Sequence, residues 1–394
     1  MKTFLALLAL FAALPRAAVA QSGEPSKAET KVIAPRSGPE KDAALKKYGG
    51  TKATEEAVAN GVDWLVRHAE PGGGWKADTY PARCKGETPC TGIGGGHHGE
   101  PVPHSYNDAQ TALCCMALLG HGIIPDPEGS ETQQTLDRAL LNLRNPHSAW
   151  GLALACEALS EAEVAEGKDR WGPTAKRLAE KLLSMKGEDG AWAYAGAFRG
   201  GGDVPYSAFV VQGLVAARDV GVEFPADLAS GVDRYLSSLE EHKGRLAYLK
   251  NGRNFGYTPT RTNAHSGAAM RELLQAGTDT ARHKLHLGCV AGDIPVWKLE
   301  WKEIKGQKFQ VGNLSLYQWY YGTIASFQAG GSLWTSYFGA VKKELLAHQR
   351  KDGCAKGSWN NEGTYEIDVG GRVFSTSLAI LMLEQPYRHR KLKK

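Results

Sequence analysis

Histidines and carboxylates that could be brought together as partners are the main chemical resource of this sequence. His147 and His265 each stand just ahead of a run of small and apolar residues, and Asp108 and Asp203 occupy comparable places. An imidazole beside a carboxylate can serve as general acid or base, or as a metal ligand. The competing reading is structural: a histidine at a helix start, bonded to a backbone carbonyl. His97, His98 and His104 fall within eight residues of a glycine-rich stretch, Gly94-Gly95-Gly96-His97-His98-Gly99-Glu100. They could hold a divalent ion such as zinc, although such a loop brings little second shell, and a solvated loop is the plainer reading. No other cofactor is implied.

The cysteines divide into two kinds. Cys114, Cys115 and Cys156 sit inside apolar runs, where cysteine behaves as a small buried hydrophobe. Cys84 and Cys90 flank Lys-Gly-Glu-Thr-Pro, a spacing that suits a local disulfide in an exported chain. As thiolates the same two residues would be soft metal ligands, and the pattern alone leaves both readings open. The count of seven leaves at least one thiol unpaired.

The elements that must position these residues are repeated helical hairpins. Trp64-Leu65-Val66-Arg67-His68 runs through Gly72-Gly73-Gly74 to Trp75, and Leu182-Leu183 through Gly190-Ala191 to Trp192. Tyr235-Leu236 leads to Gly244 and Tyr248, and Leu345-Leu346 through Gly357-Ser358 to Trp359. Each is an amphipathic helix stopped by a glycine turn with an aromatic just beyond. After each turn comes a small polar pair and an almost wholly apolar run, opening at Thr111, Ser148, Ser207, Ser266, Tyr321 and Thr376. The spacings of 37, 59, 59, 55 and 55 residues are those of a repeat array. The short first interval predicts a trimmed outer helix, Leu136 to Leu143, in the second repeat. Charged-faced helices would lie outside and apolar ones inside, as an open solenoid or a closed ring.

The ends read differently. Lys2, an apolar run from Phe4 to Leu14, and Ala18-Val19-Ala20 predict a secretory signal over residues 1–20, giving an exported, periplasmic or secreted protein. Residues 21–50 are polar and predict a flexible leader. The repeat domain would span 51–388, with a solvated basic tail at 389–394. No later segment is apolar for long enough to span a membrane. Loss of Lys2 and Arg16 with the signal takes the formal charge from +5 to +3, too balanced to argue for nucleic acid.

The turn from Leu345 through Gln349 to Gly357-Ser358-Trp359 resembles the QW repeats of squalene-hopene cyclases and of protein prenyltransferase beta subunits. The stretches Tyr317-Gln318-Trp319-Tyr320-Tyr321-Gly322 and Gly370-Gly371-Arg372-Val373-Phe374-Ser375-Thr376-Ser377 are similar to exported bacterial members of that superfamily, whose reaction is unassigned. The resemblance covers roughly residues 54–388. It implies an all-α fold, the alpha/alpha toroid of six helical hairpins, with the ring closed.

It does not carry the chemistry over. Type II cyclases need an Asp-x-Asp-Asp acid that is absent here, and the histidine of the prenyltransferase zinc triad corresponds to Ser375. The residues ahead of the small pairs, Gln110, His147, Tyr206, His265, Tyr320 and Ser375, would ring the toroid mouth, where helix N-termini favour anionic or hydroxylated ligands. Tyr317, Trp319, Tyr320, Tyr321, Phe327 and Trp334 would line an apolar pocket with polar tips, or else form plain core. The leading expectation is a binding or scaffolding module for an apolar or polyprenyl ligand. The alternative is a toroid enzyme, lyase or hydrolase, acting on extracellular polysaccharide through His147, His265, Asp108 or Asp203.

Overall fold

The computed structural model describes residues 31–34, 36–85, 89–92, 106–193, 201–248, 260–298, 301–304, 307–310, 314–360 and 365–392. Twelve of its helices form six hairpins in two layers. The outer helices are α2 (Lys52–Arg67), α4 (Glu131–Asn142), α6 (Gly172–Ser184), α8 (Leu228–Ser238), α10 (Ala281–Gly292) and α12 (Gly331–His348). The inner ones are α3 (Asn107–Gly120), α5 (Ala149–Glu166), α7 (Val204–Ala217), α9 (Thr260–Leu274), α11 (Leu316–Ala329) and α13 (Tyr365–Leu383). Around the ring, α3 packs on α5, α5 on α7, α7 on α9, α9 on α11 and α11 on α13, and α13 returns to α3. The ring is closed, and the fold is an alpha/alpha toroid. Among the described residues no helix is long and apolar enough to cross a membrane.

The sequence repeat is a repeat of hydrogen bonds. Trp75, Trp192 and Trp359 each donate the indole N–H to a carbonyl of the preceding outer helix, Leu65, Leu182 and Leu345, at 2.7, 2.7 and 2.8 Å. Their backbone N–H groups donate to the hydroxyls of Thr111, Ser207 and Thr376 on the next inner helix. In these three repeats the tryptophan thus fixes both arms of its hairpin, and the small polar residue opening the inner run is its partner. The glycine two residues before the tryptophan faces the next repeat. Gly190 and Gly357 have φ of 92° and 94°, and a Cβ there would strike the Gly231 and Asn60 carbonyls of α8 and α2. Only glycine meets both demands at little cost.

Three expectations are corrected. The outer helix of the second repeat is not trimmed: α4 has twelve residues, with a Ser130–Gln133 capping box, and what is short is the link 143–148 to α5. Part of the leader, residues 31–34 and 36–50, is structured. Val32 and Ile33 are buried, their N–H groups donate to the Asp219 carboxylate at 3.0 and 2.7 Å, and α1 (Gly38–Tyr48) follows. Nor do residues 389–392 form a solvated tail: after α14 (Gln385–Arg388), His389 bridges to Ile33, and the Leu392 N–H donates to Gln328. Two apolar anchors, Ile33 and Leu392, and a set of buried charges hold these ends in place. A two-stranded hairpin, β1 (Trp301–Ile304) with β2 (Gln307–Gln310), precedes α11.

Candidate functional site

The four acid–base candidates do not form one constellation. Asp108, in the first turn of α3, accepts from the His147 and Ser148 N–H groups and from the Ser148 hydroxyl, at 2.8, 2.8 and 2.7 Å. Its carboxylate therefore organises the start of α5, while His147 is exposed. Asp203 caps α7: Oδ1 accepts from the Tyr206 N–H at 2.8 Å, and Oδ2 has no partner among the described residues. Burial pushes its carboxyl up to about 7, against the pull of the capping N–H. His265 is fully buried one turn into α9, with its Nδ1–H donating to the Arg261 carbonyl at 2.8 Å. Its Nε2 has no partner among the described residues, and burial lowers its pKa, keeping the ring neutral. No hydrogen bond or ion pair among the described residues joins Asp203 to His265 or to Asp108. Gln110 is buried where Gly370 of α13 approaches α3, and the Ser375 hydroxyl donates to the carbonyl of Gly371, the kink in α13.

Aromatic side chains from three inner helices do come together. Trp150 of α5 meets Tyr206 and Phe209 of α7 edge-on, with ring centroids 5.4 and 5.7 Å apart. Phe209 in turn packs on Tyr317 and Tyr321 of α11, at 5.9 and 5.4 Å. Trp150 is half-buried and the rest are nearly inaccessible. The Tyr317 hydroxyl is 3.2 Å from the hydroxyl of Ser266 on α9, so the wall carries polar tips. The aromatic series of α11 thus splits. Trp319 instead packs on Trp297, and Phe327 on Tyr48 and Trp334, in the layer between inner and outer helices. Helical rotation of 100° per residue separates neighbours that sequence alone groups together.

Tyr320 belongs to a third group, a buried charge network. Arg388 donates to Glu157 at 2.6 Å and to Glu161 at 2.9 Å, and Arg36 donates to the other Glu161 oxygen at 2.8 Å. Gln212 bonds both Glu157 and the Tyr320 hydroxyl, which also accepts from Arg388. Burial raises Glu157 to about 7 despite Arg388. Burial would raise Glu161 too, but Arg36 and Arg388 outweigh it and hold it well below the usual range. Glu157, Glu161 and His389 are spaced as metal ligands are, but the Arg388 guanidinium already occupies the place of a cation.

Sequence reasoning missed a fourth cluster. Cys84 and Cys90 are not joined: both are free thiols, with the Cys90 N–H donating to Cys84 Sγ at 3.1 Å. Both face His68 Nε2, at 3.5 and 3.6 Å, and Cys354 faces it at 3.4 Å. With three sulfurs around one imidazole nitrogen, no single pair is singled out for a bond. The available signal was that His68 ends one outer helix while Cys354 lies in the corresponding turn of another. His97, His98 and His104 lie outside the described residues.

No family model and no curated protein sequence matches the chain. Solved structures do. An inactive double-aspartate variant of an alpha-1,6-mannanase of glycoside hydrolase family 76 from Salegentibacter sp. HEL1_6, in complex with alpha-1,6-mannotriose, matches with a TM-score of 0.55 and 11% identity, over 85% of this chain and 99% of that one. The type II terpene cyclase MstE from Scytonema, as a variant bound to geranylgeranyl dihydroxybenzoate, gives a TM-score of 0.51 at 11% identity, over 88% and 99%. A family 76 glycoside hydrolase from a bovine Bacteroides thetaiotaomicron strain gives 0.52 at 10%, over 85% and 78%. What this chain shares with all three is the toroid.

Proposed function

We propose that this chain is an exported binding or scaffolding protein that takes an apolar or polyprenyl-type ligand against the inner aromatic wall. The observation that carries this reading is the contact chain from half-buried Trp150 through Phe209 to Tyr317 and Tyr321, drawn from three inner helices. Such a wall offers apolar faces with hydroxyl tips, suited to a chain of isoprene units ending in a polar group. Two of the four residues that would make it a polymer-cleaving enzyme are otherwise engaged: Asp108 is consumed in holding α5, and His265 is buried and neutral. No two aspartates adjoin anywhere in the sequence, unlike the pair replaced in the inactive mannanase.

A second reading keeps one specific support. Asp203 is a carboxyl that burial pushes up to about 7, with one oxygen free of partners among the described residues, as a general acid requires. Tryptophan-fluorescence titration with a polyprenyl phosphate and with an alpha-1,6-linked mannooligosaccharide separates the two. Saturable polyprenyl binding that weakens at least tenfold in Phe209→Ala and is unchanged in Asp203→Asn supports the binding module. Release of reducing sugar from mannan, lost in Asp203→Asn, would replace it with the hydrolase.

A further inference from the structure

We propose that His68, Cys84, Cys90 and Cys354 form a tetrahedral zinc site that clasps the first repeat of the toroid to the last. The geometry is that of a tetrahedral ligand set for one ion. With Zn–S bonds of about 2.3 Å and Zn–N of about 2.05 Å at tetrahedral angles, each sulfur should sit about 3.6 Å from the nitrogen. The three observed separations from Nε2 are 3.4, 3.5 and 3.6 Å. All four ligand atoms lie within 4.8 Å of one another. A disulfide would instead draw two sulfurs into bonding distance and leave the third without a role.

The surroundings are those of a metal ligand set. The Nδ1–H of His68 donates to the Trp64 carbonyl at 2.8 Å, which fixes the tautomer and leaves the Nε2 lone pair for the ion. The ring is held by stacking on Trp64 at 4.3 Å and by the edge of Tyr80. The Cys90 N–H points at Cys84 Sγ, a bond that favours a thiolate there. Three thiolates and one zinc leave a net negative charge, and Arg67 and Arg372 both lie close enough to act on His68 electrostatically. Arg372 is itself anchored to Thr91, next to Cys90, and to Ser358 of the last turn. Four protein ligands leave no open position, so the site is structural. Soft thiolates in tetrahedral geometry select zinc over the hard divalent ions. A cavity of about 700 Å³, lined in part by Cys90, Cys354, Arg350 and Arg372, gives the ion a way in.

Position gives the ion its purpose. His68 caps α2 and Cys84 follows the short 3-10 turn Tyr80–Arg83, all in the first hairpin, whereas Cys354 lies between α12 and α13 in the sixth. Here the two ends of the repeat array meet, and the chain supplies no covalent link. Arg67 already reaches across it to the carbonyls of Cys354 and Lys356, and Gln349 to that of Ala57.

The test is elemental analysis of the full-length protein after exhaustive dialysis, with a thiol count on the same sample. Roughly one zinc per chain, falling at least fivefold in Cys354→Ser and Cys90→Ser, is expected. Cobalt substitution should give thiolate charge-transfer bands and intense tetrahedral d–d bands, both lost in Cys354→Ser. If the variants do not fold, stripping the wild type with a chelator and restoring zinc alone must lower and then recover the melting temperature. A metal-free protein with an intact disulfide between any two of the three cysteines overturns the proposal. So does stoichiometric iron or copper in place of zinc, or zinc content unchanged in Cys354→Ser.

Discussion

His68 Nε2 lies 3.4 Å from Cys354 Sγ, although 286 residues separate the two in sequence. The contact marks the seam of the ring, where the first and sixth hairpins meet without a covalent link between them. Every other pair of neighbouring hairpins is held together by chain connectivity as well as packing. The seam has to be specified by side chains and by close backbone approach, and several of the most constrained positions in the molecule are found there.

Gly357 is one of them. Its φ of 94° strains any residue with a Cβ, and that Cβ would strike the Asn60 carbonyl on α2. Gly357→Ala should lower stability by about 2–4 kcal/mol, combining backbone strain with overpacking. Gly288 is the control: it lies in α10, exposed, with open space around its would-be Cβ. Gly288→Ala should be stabilising by up to about 1 kcal/mol. Urea denaturation of the two variants reads the difference, and equal effects would mean that the seam is not tightly packed at Gly357.

Asp108→Ala tests whether that carboxylate builds or reacts. It removes the acceptor of three hydrogen bonds at the start of α5, two of them from backbone N–H groups. The expected loss is about 2–3 kcal/mol, more than a single cap because three donors are stranded. Ligand affinity should hold at temperatures where the variant stays folded. Loss of affinity with unchanged stability would instead place Asp108 in the binding site.

These cases show how far the sequence could be read. The repeat period and the glycine–tryptophan turns located the hairpins because each turn satisfies the same local demand: Trp359 bonds Leu345 and Thr376 just as Trp192 bonds Leu182 and Ser207. Local patterns are legible in a linear string. What escaped was everything made by closure. Cys354 has no sequence neighbour that announces a partnership with His68, and Arg388, immediately before the stretch read as a solvated basic tail, is fully buried against two glutamates of α5. Charge composition cannot distinguish a frayed tail from a buried anchor when the counter-charges lie more than two hundred residues away. The disulfide reading of Cys84 and Cys90 failed for the same reason, since the competing third thiol comes from the other end of the array.

The buried carboxyls set a pH dependence. Burial raises Asp203 from 3.8 to about 7 and Glu157 from 4.5 to about 7, so the folded state holds protons that the unfolded chain has already released in that window. Both contributions are fully present below the unfolded pKa values and are lost as pH rises through about 7. Stability should therefore fall between roughly pH 4 and pH 7 on account of these groups. Asp203→Asn keeps the cap on the Tyr206 N–H but cannot ionise, so it should flatten that slope and be more stable than the wild type at pH 8. Chemical denaturation at pH 5 and pH 8 decides the point: a variant that loses equal stability at both values shows that the carboxyl is not protonated in the fold.

Arg388 is where the chain ends are tied to the ring. Its side chain is fully buried and bonds Glu157, Glu161 and Tyr320, while Arg36 from the N-terminal segment holds the second Glu161 oxygen. Arg388→Met keeps the length of the side chain but strands Glu157 and removes one of the two guanidinium charges that hold Glu161 ionised. Breaking a buried pair in this way costs about 3–5 kcal/mol. The double variant Glu157→Gln with Arg388→Met removes one stranded carboxylate as well, and should recover at least about 1 kcal/mol of that loss. Recovery in a double-mutant cycle by urea melts is the signature of direct coupling, whereas strictly additive losses would show that the two side chains stabilise the ring independently. Because Arg388 lies beside the bridge from His389 to Ile33, the single variant should also expose α1 to proteolysis before the ring itself unfolds.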